Sequence, residues 1–375
     1  MEMGIQMDSI NNEKYLIIGG SIAGLSAAIR LAELGEKVVL LEAGKIPTNK
    51  VCGEFISPEC HEILKRWSIN IPISIPVMNL FCKKRKLEYK LPLEAKATRR
   101  VDLEQKLLDK AISMGVEVLQ NNPVDDIVYS KNQDGCFTIK TLAGSKFYPK
   151  ELIIAAGKLH SAKQNNLKNK NIKFQYVGFK FHIEYSWTKN YLDMYTFPSG
   201  YIGMVPVENN VVNIACLIKM EEFKKYKDIS ACVQSIIKSY KNTDLDKCLK
   251  GINLESTDCI EARIPKFGVR DIPKIDNVYY VGDAAASLYP ATGDGLAMAI
   301  TSGEMVGEYA KAKAYKEYQK DWRKIYLTRI KWGAWLHKIL ERQKLVTAGI
   351  LASNYIKTIP DYFFYKTRML KQKRS

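Results

Sequence analysis

The sequence has few of the residues that build metal centres and hydrolytic sites. It has four histidines, at positions 61, 160, 182 and 337, and eight scattered cysteines without a CxxC pair. No histidine stands at zinc-ligand spacing beside them, and no serine, histidine and aspartate order stands out. No metal and no hydrolase activity are therefore expected. Each histidine is expected at the surface or in packing, and the thiols are expected to be reduced.

Long apolar runs are also missing. No stretch approaches the roughly 18 to 20 apolar residues that span a bilayer. Residues 1–13 are polar and partly acidic, without the apolar core of a secretory signal. The sequence predicts a protein that is made and kept in the cytoplasm.

Basic charge is abundant, but it is concentrated at one end of the chain. The sequence has 57 Lys and Arg against 40 Asp and Glu, and residues 311–375 hold 17 of the former and 4 of the latter. The first 310 residues carry 40 basic and 36 acidic groups, an ordinary balance for an enzyme. No recognised nucleic-acid-binding motif accompanies the basic segment, so no nucleic-acid partner is expected.

The N-terminal region has the pattern of a dinucleotide-binding unit. A strand-forming run from Lys14 to Ile18 leads into a glycine-rich turn and then into a helical pattern that ends at Gly35. A second apolar run, 37–41, ends at Glu42. Strand, turn, helix, strand and acid in this order form the dinucleotide fingerprint. The turn comprises Gly19, Gly20, Ser21, Ile22, Ala23 and Gly24.

Each part of this fingerprint has a physical function. Gly19 permits the tight turn, and Gly24 lets the helix pack close to the strand. Ser21 stands where the pattern usually has its middle glycine, and it adds only a short side chain. Glu42 is expected to accept hydrogen bonds from ribose hydroxyls. The backbone N–H groups that are expected to face a pyrophosphate belong to the helix start, at Ser21, Ile22 and Ala23.

A second glycine-rich segment lies about 240 residues downstream. A strand-like run, 277–281, ends in Gly282 and Asp283, and a helical pattern follows Pro290. This segment resembles the GD motif of FAD-dependent oxidoreductases of the p-hydroxybenzoate hydroxylase and geranylgeranyl reductase type. The resemblance covers most of residues 14–310 and implies FAD as the cofactor.

The resemblance also implies roles for single residues. Asp283 would bind the ribityl hydroxyls, Arg100 of an Arg-x-x-Leu helix would contact FAD, and the backbone at Val124 would meet the adenine. A solvated surface arginine is the alternative for Arg100. The N–H groups at the second helix start would stabilise negative charge on the reduced ring. This helix start comprises Pro290, Gly293, Asp294 and Gly295.

A third family motif differs in this chain. Within the run from Leu152 to Ser161, Ala156 stands where aromatic hydroxylases of the family carry an aspartate before glycine. In hydroxylases that aspartate is associated with handling both FAD and NADPH. Its absence weakens the case for a hydroxylase driven directly by NADPH without excluding it. NADPH or NADH is the candidate electron donor.

Residues 48–58 resemble the Cys-Gly segment of geranylgeranyl reductases and, less closely, the Gly-Glu-Ser segment of flavin halogenases. The resemblance implies a loop against the isoalloxazine, where Gly53 lets the backbone touch the ring and Cys52 is a polarisable wall or a proton donor. Glu54 would orient the loop, or supply a proton if burial raises its pKa. The alternatives are a Cys52 that only packs and a Glu54 that is solvated or caps the loop.

Residues 171–220 alternate between apolar and polar, which predicts an antiparallel sheet above a substrate cavity. Geranylgeranyl reductases have Tyr-x-Trp-x-Phe-Pro where this chain has Tyr201-x-Gly203-x-Val205-Pro. Two large aromatic residues are thus replaced, so the cavity is expected to differ in shape. Tyr201 is a candidate catalytic residue, and a sheet position without substrate contact is its alternative.

The predicted fold is α/β, with a discontinuous Rossmann-like FAD-binding domain, a sheet-rich α+β substrate domain of the p-hydroxybenzoate hydroxylase type and C-terminal helices. The C-terminal region is expected either to pack on the substrate domain or to lie on an anionic membrane at its inner face. Its apolar face is predicted at Ile325, Trp332, Trp335, Leu336, Ile339 and Leu340. The FAD-binding domain is assigned to 1–70, 99–160 and 263–310, the substrate domain to 71–98 and 161–262, and the helical region to 311–375.

The resemblance implies a flavin enzyme that reduces a C=C bond of a hydrophobic substrate, such as a prenyl or polyene compound, by hydride transfer from reduced flavin. One alternative is a flavin monooxygenase that hydroxylates an aromatic or polyketide-like metabolite. Another is a non-catalytic flavoprotein that binds a membrane or a protein partner.

Overall fold

The computed structural model describes residues 14–129, 137–157, 173–187, 189–241, 243–250, 252 and 257–368. The predicted motif residues 158–161 and the basic end at 369–375 lie outside these ranges.

A parallel five-stranded sheet carries the N-terminal fingerprint. Four of its strands are fully buried, as expected for short apolar runs covered on both faces. In spatial order the strands are β17 (Val278–Tyr280), β10 (Glu151–Ile154), β1 (Tyr15–Ile18), β2 (Val38–Leu41) and β6 (Glu117–Leu119).

A mixed eight-stranded sheet forms the second layer. One face is apolar and packs against two helices, α5 (Ile229–Lys238) and α6 (Asp244–Leu249). The opposite face is turned toward the loop at 51–54. In spatial order the strands are β15 (Ile260–Ile264), β11 (Tyr176–Glu184), β14 (Val211–Lys219), β13 (Gly200–Glu208), β12 (Tyr191–Phe197), β4 (Ile73–Cys82), β5 (Arg85–Ala97) and β3 (Phe55–Ile56).

Two small sheets complete the strands of the described residues. One has three strands, β7 (Val124–Tyr129), β8 (Phe137–Thr141) and β9 (Lys146–Phe147), and the other pairs β16 (Gly268–Val269) with β18 (Ala286–Ser287). The α/β fold class predicted from the sequence is confirmed. The division of the chain into domains stays a prediction.

The nucleotide layer is covered by α1 (Ile22–Glu33) and α7 (Gly295–Lys311). The two helices approach closely because α7 presents glycine: a Cβ at Gly303 would lie 2.6 Å from the Ala23 carbonyl oxygen. The other described helices are α2 (His61–Arg66), α3 (Arg100–Ser113), α4 (Met220–Phe223), α8 (Tyr315–Leu340), α9 (Gln343–Tyr355) and α10 (Thr358–Thr367).

Helix α8 packs on the molecule with a different face from the predicted one. Trp335, placed on the buried face by the sequence pattern, is 47% exposed, and the other predicted residues are half-buried. The buried face is rich in tyrosine and contains Arg329, whose polar groups find partners in the tertiary structure. The hydropathy pattern misplaced the buried face of α8 because it counts tyrosine and arginine as polar residues. The buried residues are Tyr315, Tyr318, Trp322, Tyr326, Arg329, Ile330, Gly333 and His337.

Among the described residues, no helix combines the length and apolar character that crossing a membrane requires. Those residues also contain no group of three or more histidine, cysteine and acidic side chains arranged to hold a metal ion.

Candidate active site

The first glycine-rich loop requires glycine at two positions for steric reasons. Gly19 has a φ of +104°, and a Cβ there would lie 2.6 Å from the backbone of Ala155. A Cβ at Gly24 would lie 1.9 Å from the Gly19 carbonyl oxygen. No larger residue fits either position without moving the backbone. The close turn expected from the sequence is present.

The start of α1 keeps its backbone N–H groups uncapped by Ser21, the residue before the helix. The Ser21 hydroxyl instead donates to Glu104 and accepts a hydrogen bond from Arg100 at 2.6 Å. Ile22 and Ala23, which open the helix, are buried. A helix start of this kind is suited to bind an anion. Arg100 lies beside it, and its contact with FAD stays a prediction.

Glu42 follows β2 and lies beside the same loop. Its carboxylate accepts hydrogen bonds from the backbone N–H of Gly20 at 2.6 Å and of Gly44 at 3.1 Å. Val124 opens β7 and is half-buried. The proposed ribose and adenine contacts of Glu42 and Val124 stay predictions.

The second glycine-rich segment meets the first one in space. Gly282 has a φ of +55°, and a Cβ there would lie 2.8 Å from the Ala23 Cβ atom. Asp283 lies on the same single helical turn and is exposed. Burial lowers the pKa of the Arg270 guanidinium, and the charge of Asp283 opposes this shift. Two segments that are distant in sequence therefore meet in space, and the region between them is the candidate cofactor cleft.

The start of α7 borders this cleft from another side. A Cβ at Gly293 would lie 2.9 Å from the Phe55 ring, so glycine lets the helix start approach β3. Gly295 is exposed at the first helical position, and the residue before it, Asp294, does not cap the helix with its side chain. Pro290 is exposed in the preceding turn.

The carboxylate of Asp294 is directed to a protein partner. It accepts hydrogen bonds from Thr292 and, at 2.9 Å, from Arg329 of α8. Any contact of Asp294 with the cofactor therefore belongs to its backbone. The side chain ties the α7 start to the C-terminal helices.

Glu54 lies at the centre of a buried charged cluster. It is 0% exposed and has a φ of 56°, which is uncommon for a residue with a side chain. Lys180 donates to its carboxylate at 2.5 Å and His182 Nε2 at 2.6 Å, and the backbone N–H of Arg100 donates at 2.9 Å. These partners offset the cost of burying the charge.

The cluster decides the protonation of Glu54. Burial alone raises the pKa of this carboxyl, but the hydrogen bond from His182 and the positive charge of Lys180 bring the pKa below its ordinary value. The condition for a proton-donating Glu54, a pKa raised by burial, is therefore not met, and the residue is not solvated. Its ionised carboxylate orients the loop and His182.

Cys52 and Gly53 lie next to this cluster. Cys52 is half-buried, its Sγ accepts a hydrogen bond from the Glu54 N–H at 3.3 Å, and its carbonyl oxygen accepts one from Asn213 at 3.1 Å. Gly53 is exposed, and a Cβ there would meet no atom within 4 Å. The loop thus presents an accessible backbone, held in place from both sides.

Tyr201 lies further along the same sheet face in an apolar cluster. Its side chain is 7% exposed, and among the described residues its hydroxyl has no hydrogen-bond partner. Burial raises the pKa of Tyr201 well above its ordinary value, so the phenol stays neutral. The apolar neighbours include Met194, Leu217, Phe267 and Tyr289.

Residues 13–180 match the family model described as pyridine nucleotide-disulphide oxidoreductase. Digeranylgeranylglycerophospholipid reductase 2 of Methanothermobacter thermautotrophicus is 23% identical over 87% of this chain and 85% of its own length. The menaquinone reductase of Mycolicibacterium smegmatis is 22% identical over 82% of this chain and 78% of its own length.

Solved structures share the fold at low identity. The flavin-dependent brominase Bmp2 superposes with a TM-score of 0.77 at 15% identity and covers 94% of this chain and 93% of its own. PqsL, a probable FAD-dependent monooxygenase from Pseudomonas aeruginosa, superposes with a TM-score of 0.74 at 16% identity. The match covers 91% of this chain and 100% of the PqsL chain.

Together these matches make the chain similar to FAD-dependent oxidoreductases and to digeranylgeranylglycerophospholipid reductases. The residues present fit FAD. The helix starts of α1 and α7 have no side-chain cap, and Gly19 and Gly24 carry no side chain there, so backbone N–H groups are open to a dinucleotide. Arg100 adds positive charge there. The loop at 51–54 is tied to the face of the eight-stranded sheet by Asn213 and Lys180.

Sequence reasoning missed three polar residues of this region. Lys180 and His182 stand two apart on β11, so both point to the face that carries Glu54, and His182 is neither a surface nor a packing residue. The sequence signal that could have found them is two polar residues, two positions apart, in an otherwise apolar strand. Arg329 gave no comparable signal, because its partners are distant in sequence.

A further polar side chain of α8 lies among the aromatic rings near Tyr201. His337 of α8 is 3% exposed, and its ring lies between those of Tyr176 at 5.3 Å, Tyr289 at 5.1 Å and Phe267 at 5.8 Å. Helix α8 therefore packs against the same sheet face that carries Tyr201, whose ring lies 6.5 Å from that of His337.

Proposed function

We propose that this oxidoreductase reduces a carbon–carbon double bond of a hydrophobic prenyl or polyene substrate. The observation that carries the proposal is one continuous sheet face, apolar around Tyr201 and ending at the buried Glu54 cluster. A long apolar molecule fits the first part, and the second part offers a group that exchanges protons. Relatives named as reductases of lipid and quinone substrates support this class of substrate.

The shape of the substrate region depends on small residues. Gly203 is half-buried on β13, and a Cβ there would have no neighbour closer than 3.9 Å. It pairs with Ala215 of β14, so two adjacent strands carry almost no side chain at this point. We propose that the alkyl chain of the substrate lies over these small residues, between Tyr201 and the Glu54 cluster.

The reaction needs a hydride and a proton. Reduced FAD, which the helix starts at Ile22 and Gly295 would hold, would supply the hydride for one carbon of the double bond, and the other carbon would take the proton. We assign the proton to His182. Its Nε2 donates to Glu54, which holds the imidazole in place and leaves Nδ1 as the atom that carries the transferred proton.

Ala156 supports a reductase over a hydroxylase, because the aspartate associated with direct NADPH-driven hydroxylation is missing from this position. The electron donor is proposed to be NADPH or NADH. The second candidate function is a flavin monooxygenase, which the fold similarity to PqsL favours.

Oxygen dependence separates the two functions. Turnover of geranylgeranyl and menaquinone substrates by the FAD-loaded protein is measured with a chemical reductant under anaerobic and aerobic conditions. A reductase forms saturated product without oxygen. Product that forms only with oxygen, and carries an added oxygen atom, contradicts the proposal and supports the monooxygenase.

His182→Gln tests the proton assignment. Glutamine keeps a hydrogen-bond donor toward Glu54 but cannot deliver a proton, so kcat is expected to fall by about 10² or more at unchanged FAD occupancy. His61→Gln on α2 is the matched control and is expected to keep wild-type turnover. Equal kcat values for His182→Gln and the wild type would reject His182 as the proton source.

A further inference from the structure

Helix α9 exposes large apolar side chains to solvent. Leu345 is 43% exposed, Leu351 36% and Tyr355 87%, and Ile356 just after the helix is 55% exposed. Trp335 of α8 and Tyr362 of α10 are 47% and 44% exposed. These six residues are half of the twelve large apolar residues that are exposed in the described part of the chain. Such concentration indicates an interaction surface.

The segment that contains α9 carries charge of one sign. From position 342 to position 360 the sequence has no aspartate or glutamate, while Arg342, Lys344 and Lys357 are exposed. Lys338 of α8 and Lys366 of α10 are also exposed on the flanking helices. A surface that joins apolar side chains with exposed basic flanks is complementary to an anionic, apolar partner.

The neighbouring helices add an aromatic cluster. The Trp335 ring stacks on Phe363 at 5.2 Å, and Trp332 contacts Trp335 at 5.9 Å and Tyr362 at 5.6 Å. The cluster joins α8 to α10, on either side of α9. Tryptophan and tyrosine favour the boundary between lipid head groups and acyl chains, because their rings are apolar and carry one polar group.

We propose that the α9 surface, defined as Leu345, Leu351, Tyr355, Ile356, Lys344 and Lys357, docks the protein on an anionic lipid bilayer. The apolar side chains enter the head-group boundary, and the lysines contact lipid phosphates. The inference goes beyond the proposed reaction and does not depend on it, because docking requires only this surface.

A second copy of the chain is a poorer occupant of the same surface. In a two-fold dimer the surface would meet itself, so Lys344 and Lys357 would approach basic groups of the partner. An anionic bilayer instead offers opposite charge at the flanks and acyl chains at the centre.

The test uses the full-length, FAD-loaded protein and sedimented vesicles of phosphatidylcholine with and without phosphatidylglycerol. We expect binding to vesicles with about 30% phosphatidylglycerol to exceed binding to pure phosphatidylcholine by roughly tenfold or more. Raising the salt concentration is expected to weaken this binding at least about fivefold. Equal binding to both vesicle types, or none, would overturn the proposal.

Two double variants separate this surface from general stickiness. Tyr355→Glu with Ile356→Glu is expected to lower vesicle binding by about tenfold or more, since it places carboxylates at the apolar centre. The matched control, Leu142→Glu with Val128→Glu, changes residues that are 67% and 50% exposed on the small three-stranded sheet region, and binding is expected to stay unchanged.

Light scattering and turnover complete the design. Light scattering shows whether the protein forms a dimer through this surface. The docking proposal would be contradicted if the wild type and the control formed a dimer and did not bind vesicles, and if Tyr355→Glu with Ile356→Glu abolished that dimer. Reduction of a detergent-dispersed substrate is measured in parallel. If the wild-type protein binds vesicles but does not reduce the dispersed substrate, the proposed reaction is rejected and the docking proposal stands.

Discussion

Glycine and carboxylate residues define the candidate flavin cleft at the scale of single side chains. Gly19 and Gly24 have no room for a Cβ, and Gly282 brings Asp283 against the start of α1. Asp283 is exposed to the cleft rather than buried in the protein. An exposed carboxylate at this point is well placed to accept hydrogen bonds from sugar-like hydroxyls.

Asp283→Ala is expected to weaken FAD binding by about tenfold or more, because a hydroxyl of the cofactor loses a charged acceptor. Asp276→Ala removes another exposed carboxylate, seven residues earlier in the chain, and is the control. Titration of the apoprotein with FAD, followed by flavin fluorescence, measures both affinities. An Asp283→Ala affinity equal to that of the control would refute the assignment.

Glu151 shows how burial without a strong partner makes stability depend on pH. It is 2% exposed at the start of β10, and burial raises the pKa of its carboxyl to about 7, with the Tyr279 hydroxyl and nearby lysines opposing the shift. A folded pKa above the ordinary 4.5 means that its stabilising contribution is full below pH 4.5 and is lost as the pH rises through 7.

Glu151→Gln is therefore expected to be more stable than the wild type at pH 8 and close to it at pH 4.5, since only the wild type must ionise a buried group. Urea unfolding midpoints at the two pH values measure the difference. If the midpoints of Glu151→Gln and the wild type differed by the same amount at pH 4.5 and pH 8, ionisation of Glu151 would not be the cause of the difference.

Helix α8 is the element that joins the two halves of the site. Arg329 is 3% exposed and donates to Glu59 at 2.6 Å, to Asp294 at 2.9 Å and to the Thr367 carbonyl oxygen at 2.9 Å. One guanidinium thus links the α2 region, the α7 start and α10. Loss of this ion pair would leave two buried carboxylates without their cation.

Arg329→Met keeps the apolar stem and is expected to destabilise the protein by about 3 to 5 kcal/mol, the usual cost of breaking a buried ion pair. Arg323→Met changes an exposed arginine of the same helix and is expected to have little effect. Denaturant unfolding compares the two variants. A cost for Arg329→Met no larger than that for Arg323→Met would show that the link does not stabilise the fold.

At the scale of the whole molecule, the cleft is built from segments near both ends of the nucleotide region. The loop at 19–24, the loop at 51–54 and the turn at 282–295 come together only in the folded chain. A ligand that contacts all three binds the native state and not the unfolded chain. FAD binding is therefore expected to be coupled to global stability.

FAD at about one hundred times its dissociation constant is expected to add about 2.7 kcal/mol, which raises the melting temperature of a chain of this length by about 3 °C. Thermal unfolding of the apoprotein with increasing FAD measures this shift. Riboflavin, which lacks the pyrophosphate that the helix starts would bind, is the control and should shift the midpoint less. A midpoint that saturating FAD does not move would contradict a native flavin site.

Much of the nucleotide layer could be predicted from the sequence. The first strand, the glycine turn, the helix ended by Gly35 and the strand before Glu42 occur where the pattern predicts them. Each of these features depends on residues within a few positions of one another. The buried face of α8 was predicted wrongly, because Tyr326 and Arg329 are buried only by virtue of distant partners.

The sequence by itself determined the strand-turn-helix units, since apolar periodicity and glycine conformations act over short distances along the chain. Only the tertiary structure decided the protonation and partners of Glu54, because Lys180 and His182 lie 126 and 128 positions away. The free energy of a buried charge depends on which groups surround it in space, and no local pattern records that.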